Sequence, residues 1–232
     1  MYFKILIFII IIIHLFKIKQ LKTLKYHKTH NKKIINKCRI QLKEVYNMIS
    51  TSNKFLHCGT LLGSVRDNDI IPFDDDVDIG MYVKKEEEID NIKKEIIKTA
   101  LKNNYIYKNI FFGSKLIKNN IGVDIFFYIP DNNGKYVYVS KKARKIWPKE
   151  YYYINELENL KKSKILENSY NICSNTFNVL NRFYGNKWKT TYITHLHAID
   201  INTFKLSTLT LENIMNIYLV FILKFFKINK VT

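Results

Sequence analysis

Residues 69–80 read Asp69-Ile70-Ile71-Pro72-Phe73-Asp74-Asp75-Asp76-Val77-Asp78-Ile79-Gly80. From Asp74 onward an acid occupies every second position. Side chains of an extended strand alternate with period two, so Asp74, Asp76 and Asp78 are expected on one face and Val77 and Ile79 on the other. Asp75 is expected to point away. Three carboxylates crowded on one face repel each other unless solvated or neutralised, and a divalent cation is the natural counter-charge for such an oxygen-rich group. A solvated acidic loop is the competing reading; the apolar residues Ile70, Ile71, Pro72 and Phe73 before the acids, and Val77 and Ile79 among them, oppose it. An EF-hand fails on spacing. Counting from Asp74, the sixth position is Ile79 where Gly is needed, and the twelfth is Lys85 where Glu is needed.

Working outward, Gly122 to Ile129 reads as a buried strand in which Asp124 sits between Val123 and Ile125. A lone charge there is expensive. A neighbouring strand carrying Asp76 and Asp78 plus a metal would supply its partner; otherwise Asp124 is a hydrogen-bonded residue at a strand end. Upstream, Phe55 to Cys58 reads as a short strand and Thr60 to Arg66 as a brief helix beginning just after Gly59. At such a strand-to-helix junction the backbone N–H groups of Gly59 and Thr60, with the Thr60 hydroxyl, can meet a phosphate. Gly63 would permit close approach, and Arg66 could pair with phosphate oxygens through its two-pronged guanidinium. The alternative is that Gly59 and Gly63 serve tight packing and Arg66 bridges to the acidic loop. His57 and Cys58 invite comparison with a nucleophilic dyad, but neighbours on a strand point to opposite faces, and the idea is set aside.

The remaining pattern is mixed. Ile35, Cys38, Leu42, Val45, Tyr46 and Ile49 recur at helical spacing between Asn31 and Thr51, and Ile89, Ile92, Ile96, Ile97 and Leu101 do so between Lys84 and Lys102. Val77 to Val83 reads as a strand. Asp131-Asn132-Asn133-Gly134 has the chemistry of a hairpin turn leading into a strand from Tyr136 to Val139. Ser174 to Tyr184 reads as a helix closed by Gly185. The fold class expected is α/β, a mixed sheet with flanking helices.

The 232-residue chain is 47% hydrophobic and 14% aromatic, which excludes a disordered chain and permits one domain of ordinary size with terminal appendages. Its net charge of +18 would suit an anionic partner, yet Lys, Asn and Ile are over-used along the whole length rather than in one basic patch. Nucleic acid is not expected as a partner. Cys38, Cys58 and Cys173 lie far apart with no C-x-x-C spacing, so neither a disulfide framework nor a zinc finger is expected. The pairs His27/His30 and His195/His197 read as incidental.

Three regions are expected: residues 1–22 as a hydrophobic membrane-anchor segment, 23–200 as the catalytic domain, and 201–232 as an apolar and basic helical tail. Phe3 to Ile18 is nearly all apolar, and no small-residue cleavage site follows it, which favours an uncleaved single-pass anchor or an interfacial helix over a removed signal peptide. Lys17, Lys19, Lys22, Lys25 and Lys28 follow the apolar run, so charge bias puts the domain on the cytoplasmic side, in agreement with the absence of any Asn-x-Ser/Thr sequon. Ile214 to Phe226 is either a core helix or a second membrane contact.

The segment Cys58-Gly-Thr-Leu-Leu-Gly-Ser-Val-Arg66, followed by Asp69 to Gly80, resembles the signature of the LicD and fukutin-related family, in which a GTLLG-x-x-R element precedes a P-W-D-x-D-x-D element. Val123-Asp124-Ile125-Phe126 is similar to that family's third-acid strand, and Arg182-Phe-Tyr-Gly-Asn-Lys-Trp188 to its C-terminal Tyr-Gly-x-x-Trp element. Phe73 stands where the family has Trp, and the Pro that follows the C-terminal Trp is missing. The resemblance implies a nucleotidyltransferase-like fold and transfer of phosphocholine, or of ribitol or glycerol phosphate, from a CDP-linked donor to a glycan hydroxyl with release of CMP. It also implies Mg²⁺ or Mn²⁺ as cofactor. Asp76 and Asp78 would hold the metal, Asp74 would assist or orient, and Asp124 would complete the site as a metal ligand and as the base for the acceptor hydroxyl. Two alternatives stand beside it: a nucleotidyltransferase acting on RNA or a small molecule, and a membrane-tethered binding protein without activity.

Overall fold

The computed structural model describes residues 32–71 and 74–189. The chain enters as α1 (residues 32–48), whose buried side carries Cys38, Leu42, Val45 and Tyr46. It continues through β1 (Lys54–Leu56), α2 (Cys58–Arg66), β2 (Asp76–Tyr82), α3 (Glu88–Lys102), β3 (Ile106–Ile110), β4 (Gly113–Lys118), β5 (Ile121–Pro130), β6 (Lys135–Tyr138), α4 (Lys141–Ile146), β7 (Tyr152–Tyr153), α5 (Ile154–Glu158), β8 (Lys161–Ile165), β9 (Asn168–Ile172) and α6 (Thr176–Tyr184). The α/β class with a mixed sheet and flanking helices is what the alternating periods indicated.

Seven strands form the main sheet in the order β1-β2-β5-β4-β3, with β6 joining β5 and β7 joining β6. β5 is the hub. It pairs in parallel with β2 and antiparallel with β4 and β6, and its first eight residues are all buried, which is the mark of a strand covered on both faces. β8 and β9 form a separate hairpin. The core cluster joins Val77, Ile79 and Met81 of β2 and Val123, Ile125 and Phe127 of β5 to Leu42 and Val45 of α1, Leu61 of α2, Ile89 and Ile96 of α3, and Val179 and Leu180 of α6. At roughly 2–3 kcal/mol for each large apolar side chain taken fully out of water, such a cluster is the main force fixing helices to sheet.

Several boundaries differ from expectation for local reasons. β1 stops at Leu56, and Cys58 is the first residue of α2 with a positive φ of 39°, so the strand does not reach Cys58. α3 begins only at Glu88, where Glu88 and Asp90 in its first turn suit the positive helix end; Leu101, expected in its buried stripe, is 60% exposed. The turn before β6 forms as expected, with Asp131 Oδ1 accepting from the N–H groups of Asn133 and Lys135, both at 2.9 Å, and Gly134 at φ +70°.

The single-pass membrane anchor requires correction. Among the described residues no helix is long and apolar enough to cross a membrane; α3, for example, has 15 residues and an exposed charged side, where a span needs about 20 apolar residues. The N-terminal apolar run, the 201–232 tail, the four histidines at 27, 30, 195 and 197, and Pro72 and Phe73 lie outside the described residues.

Candidate active site

The parallel pairing of β2 with β5 sets Asp76 opposite Gly122 and Asp78 opposite Asp124. Residues paired across neighbouring strands share a face, so Asp76, Asp78 and Asp124 project to the same side of the sheet while Val77, Ile79, Val123 and Ile125 fill the core on the other. Asp74 precedes β2 yet reaches the same place. A point one bond out from Gly59 Cα lies 3.0 Å from Asp74 Oδ2 and 3.4 Å from Asp78 Oδ2, so both carboxylates close on the start of α2. The structure therefore brings Asp74, Asp76, Asp78 and Asp124 together.

Electrostatics reflect that crowding. Burial, followed by the charges of Asp76 and Asp75, pushes the Asp74 carboxyl well above the usual aspartate range. Burial, followed by Asp76, Asp74 and Asp124, does the same to Asp78. One cation answers them from within the sheet. Lys115 of β4 pairs with Asp124 in register, and its Nζ stands 3.1 Å from Asp124 Oδ1 and 3.9 Å from Asp76 Oδ2. Burial would pull the ammonium down, but Asp124, Asp76 and Asp78 outweigh it and hold Lys115 above its ordinary value. Space for this lysine comes from Gly122, where a Cβ would fall 2.4 Å from Lys115 Cε. One lysine among four carboxylates leaves a net negative, oxygen-rich cleft, which fits a hard divalent cation.

The junction after β1 supports the acids directly. Gly59 N–H donates to Asp78 Oδ2 at 3.1 Å, and the backbone N–H of Asp78 donates to Thr60 Oγ1 at 2.7 Å. Two of the groups expected to meet phosphate, the Gly59 N–H and the Thr60 hydroxyl oxygen, thus fix Asp78 in this structure. Gly63 lies against the 69–71 loop, where a Cβ would stand 2.4 Å from the Asp69 carbonyl oxygen. Arg66 grips Asp67 through Nε and Nη2, the latter at 2.8 Å, and donates to the Trp188 carbonyl at 3.4 Å. These contacts follow the packing alternative for Gly63 and attach Arg66 to its acidic neighbour.

Three features escaped the sequence reading. Asp75 offers an oxygen within 4.8 Å of those of Asp74 and Asp76, because the chain is not yet a regular strand there and strict alternation does not apply. Lys115 was missed because β4 carries no strong apolar alternation. Tyr184, from the C-terminal motif, has its phenol raised by burial first and then by Cys58, Asp78, Glu150 and Asp74, which places it beside the cleft.

The geometric reason for setting aside His57 and Cys58 also fails. Cys58 is not on a strand, and its positive φ turns Sγ to 3.0 Å from His57 Nε2. A nucleophilic dyad is still not formed. Complete burial holds the His57 imidazole down at about 3, and burial followed by Glu150 and Asp78 raises the Cys58 thiol, so neither group favours proton exchange with the other.

An uncharacterized protein of Rickettsia prowazekii (strain Madrid E) is 30% identical over 125 residues, covering 53% of this chain and 44% of that protein. An uncharacterized protein of Rickettsia typhi (strain ATCC VR-144 / Wilmington) is 32% identical over 127 residues, covering 53% and 37%. The chain thus spans less than half the length of these curated relatives. Residues 53–166 match the family model described as LicD/FKTN/FKRP, nucleotidyltransferase domain, a stretch that runs from β1 past β8 and contains every acid of the cleft. On that match residues 53–166, just under half of the chain, form a domain of the LicD/FKTN/FKRP family.

Proposed function

We propose that this protein is a metal-dependent transferase that moves a phospho-alcohol group, phosphocholine or ribitol or glycerol phosphate, from a CDP-linked donor to a glycan hydroxyl and releases CMP. The observation that carries the proposal is the in-register pairing of Asp78 with Asp124, with Asp74 and Asp76 gathered beside them. Carboxylates packed this closely in a partly buried cleft are costly in isolation and useful when a multiply charged substrate must be neutralised.

Asp76, Asp78 and Asp124, with Asp74 assisting, would hold Mg²⁺ or Mn²⁺, whose charge offsets that of the donor diphosphate when bound. The protein's own groups do the rest. Gly59 and Thr60 lock the Asp78 carboxylate and backbone, so its position is set before substrate arrives. Lys115 steadies Asp124 and Asp76 and offers an ammonium to a phosphoryl oxygen. In the transfer itself the acceptor hydroxyl oxygen bonds to the phosphorus nearest the alcohol, the bond from that phosphorus to the CMP oxygen breaks, and Asp124 takes the hydroxyl proton. Transfer of this kind depends on in-line positioning and charge stabilisation more than on covalent help from the protein.

The test is a donor screen. The protein is incubated with CDP-choline, CDP-ribitol and CDP-glycerol, with and without Mg²⁺ or Mn²⁺, and CMP is measured. Metal-dependent release is expected, with Asp76→Asn folded by circular dichroism and inactive. Wild-type turnover in that variant would refute the assigned role, and pyrophosphate in place of CMP would indicate nucleotidyl transfer instead.

A further inference from the structure

Beside the acidic cleft, at the junction of β1 and α2, lies a second cluster of a different chemical kind. We propose that His57 Nε2, Cys58 Sγ and Glu150 Oε2 form a distinct site for a borderline-soft divalent cation such as Zn²⁺. Their ligand atoms all lie within 4.8 Å of one another, with Sγ 3.0 Å from Nε2 and 3.7 Å from Oε2. Tetrahedral zinc with bonds of about 2.0–2.3 Å has ligand-to-ligand edges of roughly 3.3–3.8 Å. The two separations from Sγ already stand near that spacing and the third lies within 4.8 Å, so an ion can be accommodated by side-chain shifts.

The surroundings point to an ion as well. Glu150 is a partly buried carboxylate that bonds to the Tyr138 hydroxyl and to Cys58, and among the described residues it forms no ion pair with Lys, Arg or His. Buried charges are ordinarily paired or coordinate a metal. Around His57 Nε2 three hydrogen-bearing groups converge, Cys58 Sγ at 3.0 Å, Tyr138 Oη at 3.0 Å and Tyr128 Oη at 3.1 Å. A ring nitrogen makes one in-plane hydrogen bond whichever tautomer is present, so the ring nitrogen is over-subscribed. The other nitrogen, Nδ1, contacts Tyr152 Oη at 2.8 Å, which is the outer partner a metal-binding histidine needs to fix its ring and present Nε2. Tyr138 Oη, against both Nε2 and Oε2, is placed for the fourth position or for the shell behind it.

The two clusters would sort metals by ligand type. The cleft offers oxygens only, suited to Mg²⁺ or Mn²⁺, whereas thiolate and imidazole with one carboxylate suit zinc. Cys58 immediately precedes Gly59, whose N–H holds Asp78. An ion here would therefore clasp the strained start of α2 to the segment before β7 and steady the floor of the cleft. Sequence spacing could not reveal the set, since Glu150 lies 92 residues from Cys58.

The test needs no transfer activity, so its failure is separate from failure of the proposed reaction. Full-length protein stripped with a chelator is titrated with Co²⁺ as a spectroscopic stand-in for zinc. Binding of one ion with thiolate-to-cobalt charge-transfer absorption is expected, chased by added Zn²⁺, absent in Cys58→Ser and unchanged in Asp76→Asn. Tyr152→Phe should weaken binding about 10–100-fold, and Glu150→Gln, at a partly exposed position, should weaken it at least as much. No charge-transfer band in the wild type, a band that survives Cys58→Ser, or full affinity in Glu150→Gln would each overturn the assignment and leave a hydrogen-bonded polar network.

Discussion

Asp78 is held by Gly59 N–H, shares its surroundings with Asp74, Asp76 and Asp124, and is raised well above the usual 3.8 of an aspartate, mainly by burial. A carboxyl raised in the folded state costs stability; that cost is absent below the ordinary value, grows as pH rises from the ordinary towards the raised value, and is complete above it. Metal-free Asp78→Asn, which keeps an oxygen for Gly59 N–H, should therefore be more stable than the wild type at neutral pH. The expected gain is about 1 kcal/mol or more, with about 2–4 °C in Tm per kcal/mol for a chain of this size. The gap should narrow as pH falls, and saturating Mg²⁺ should reverse it. His57 acts in the opposite sense, losing stability below its ordinary 6.5 because burial holds it at about 3, but it is common to both proteins and cancels in the difference. Thermal melts of the two proteins across the acid range decide the matter; equal Tm values at neutral pH would mean the acids do not strain the fold. At this scale Asp76 and Asp78 were readable from alternation, because strand geometry forces their common face, whereas Asp124 was readable from the cost of a lone charge in an apolar strand. Asp75 was not, because alternation holds only where the backbone is extended.

Helix α2 shows how an element sets the site. Its first residue turns with a positive φ, its second holds Asp78, and its sixth, Gly63, touches the loop that leads to the acids. The obstacle to a side chain at Gly63 is backbone: the Asp69 carbonyl oxygen at 2.4 Å and the Ile71 nitrogen at 2.9 Å from a Cβ. Gly63→Ala must separate helix from loop, with a cost of about 1–3 kcal/mol in urea unfolding and a matching loss of transfer activity. Gly122→Ala makes a useful contrast, for there the obstacle is the flexible stem of Lys115. It should cost less stability than Gly63→Ala, because a flexible side chain can give way where backbone cannot, while moving Lys115 off Asp124 and Asp76 and raising the KM for donor. Equal stability losses in both variants would refute the distinction. The strands β2 and β5, the turn at Asp131 and the helix before Gly185 were legible because periodicity and turn chemistry are local. The β3–β4 and β8–β9 hairpins were not, since strands such as Ile106–Ile110 and Lys161–Ile165 are mostly exposed and lack an apolar rhythm.

Across the molecule, charge is divided by distance. The chain carries a net +18, yet its cleft gathers Asp74, Asp76, Asp78 and Asp124 around Lys115. Sequence composition revealed the first and strand pairing the second, and the two act on a donor at different ranges. Far from the surface, the proposed anionic donor would meet the summed positive field, which raises encounter rates and is screened over about 10 Å at 0.1 M salt. At contact it would meet carboxylates, whose repulsion the proposed divalent ion would offset. Raising KCl at fixed free Mg²⁺ should therefore lower kcat/KM for the donor severalfold while kcat itself changes little, because the chemical step occurs in a cleft less open to screening. A neutral acceptor glycan should show no such dependence. Steady-state kinetics with each substrate varied in turn measures both slopes. A salt effect confined to kcat, or an equal effect on donor and acceptor, would mean that the excess lysines contribute nothing to capture and that only the local charges of the cleft act on the donor.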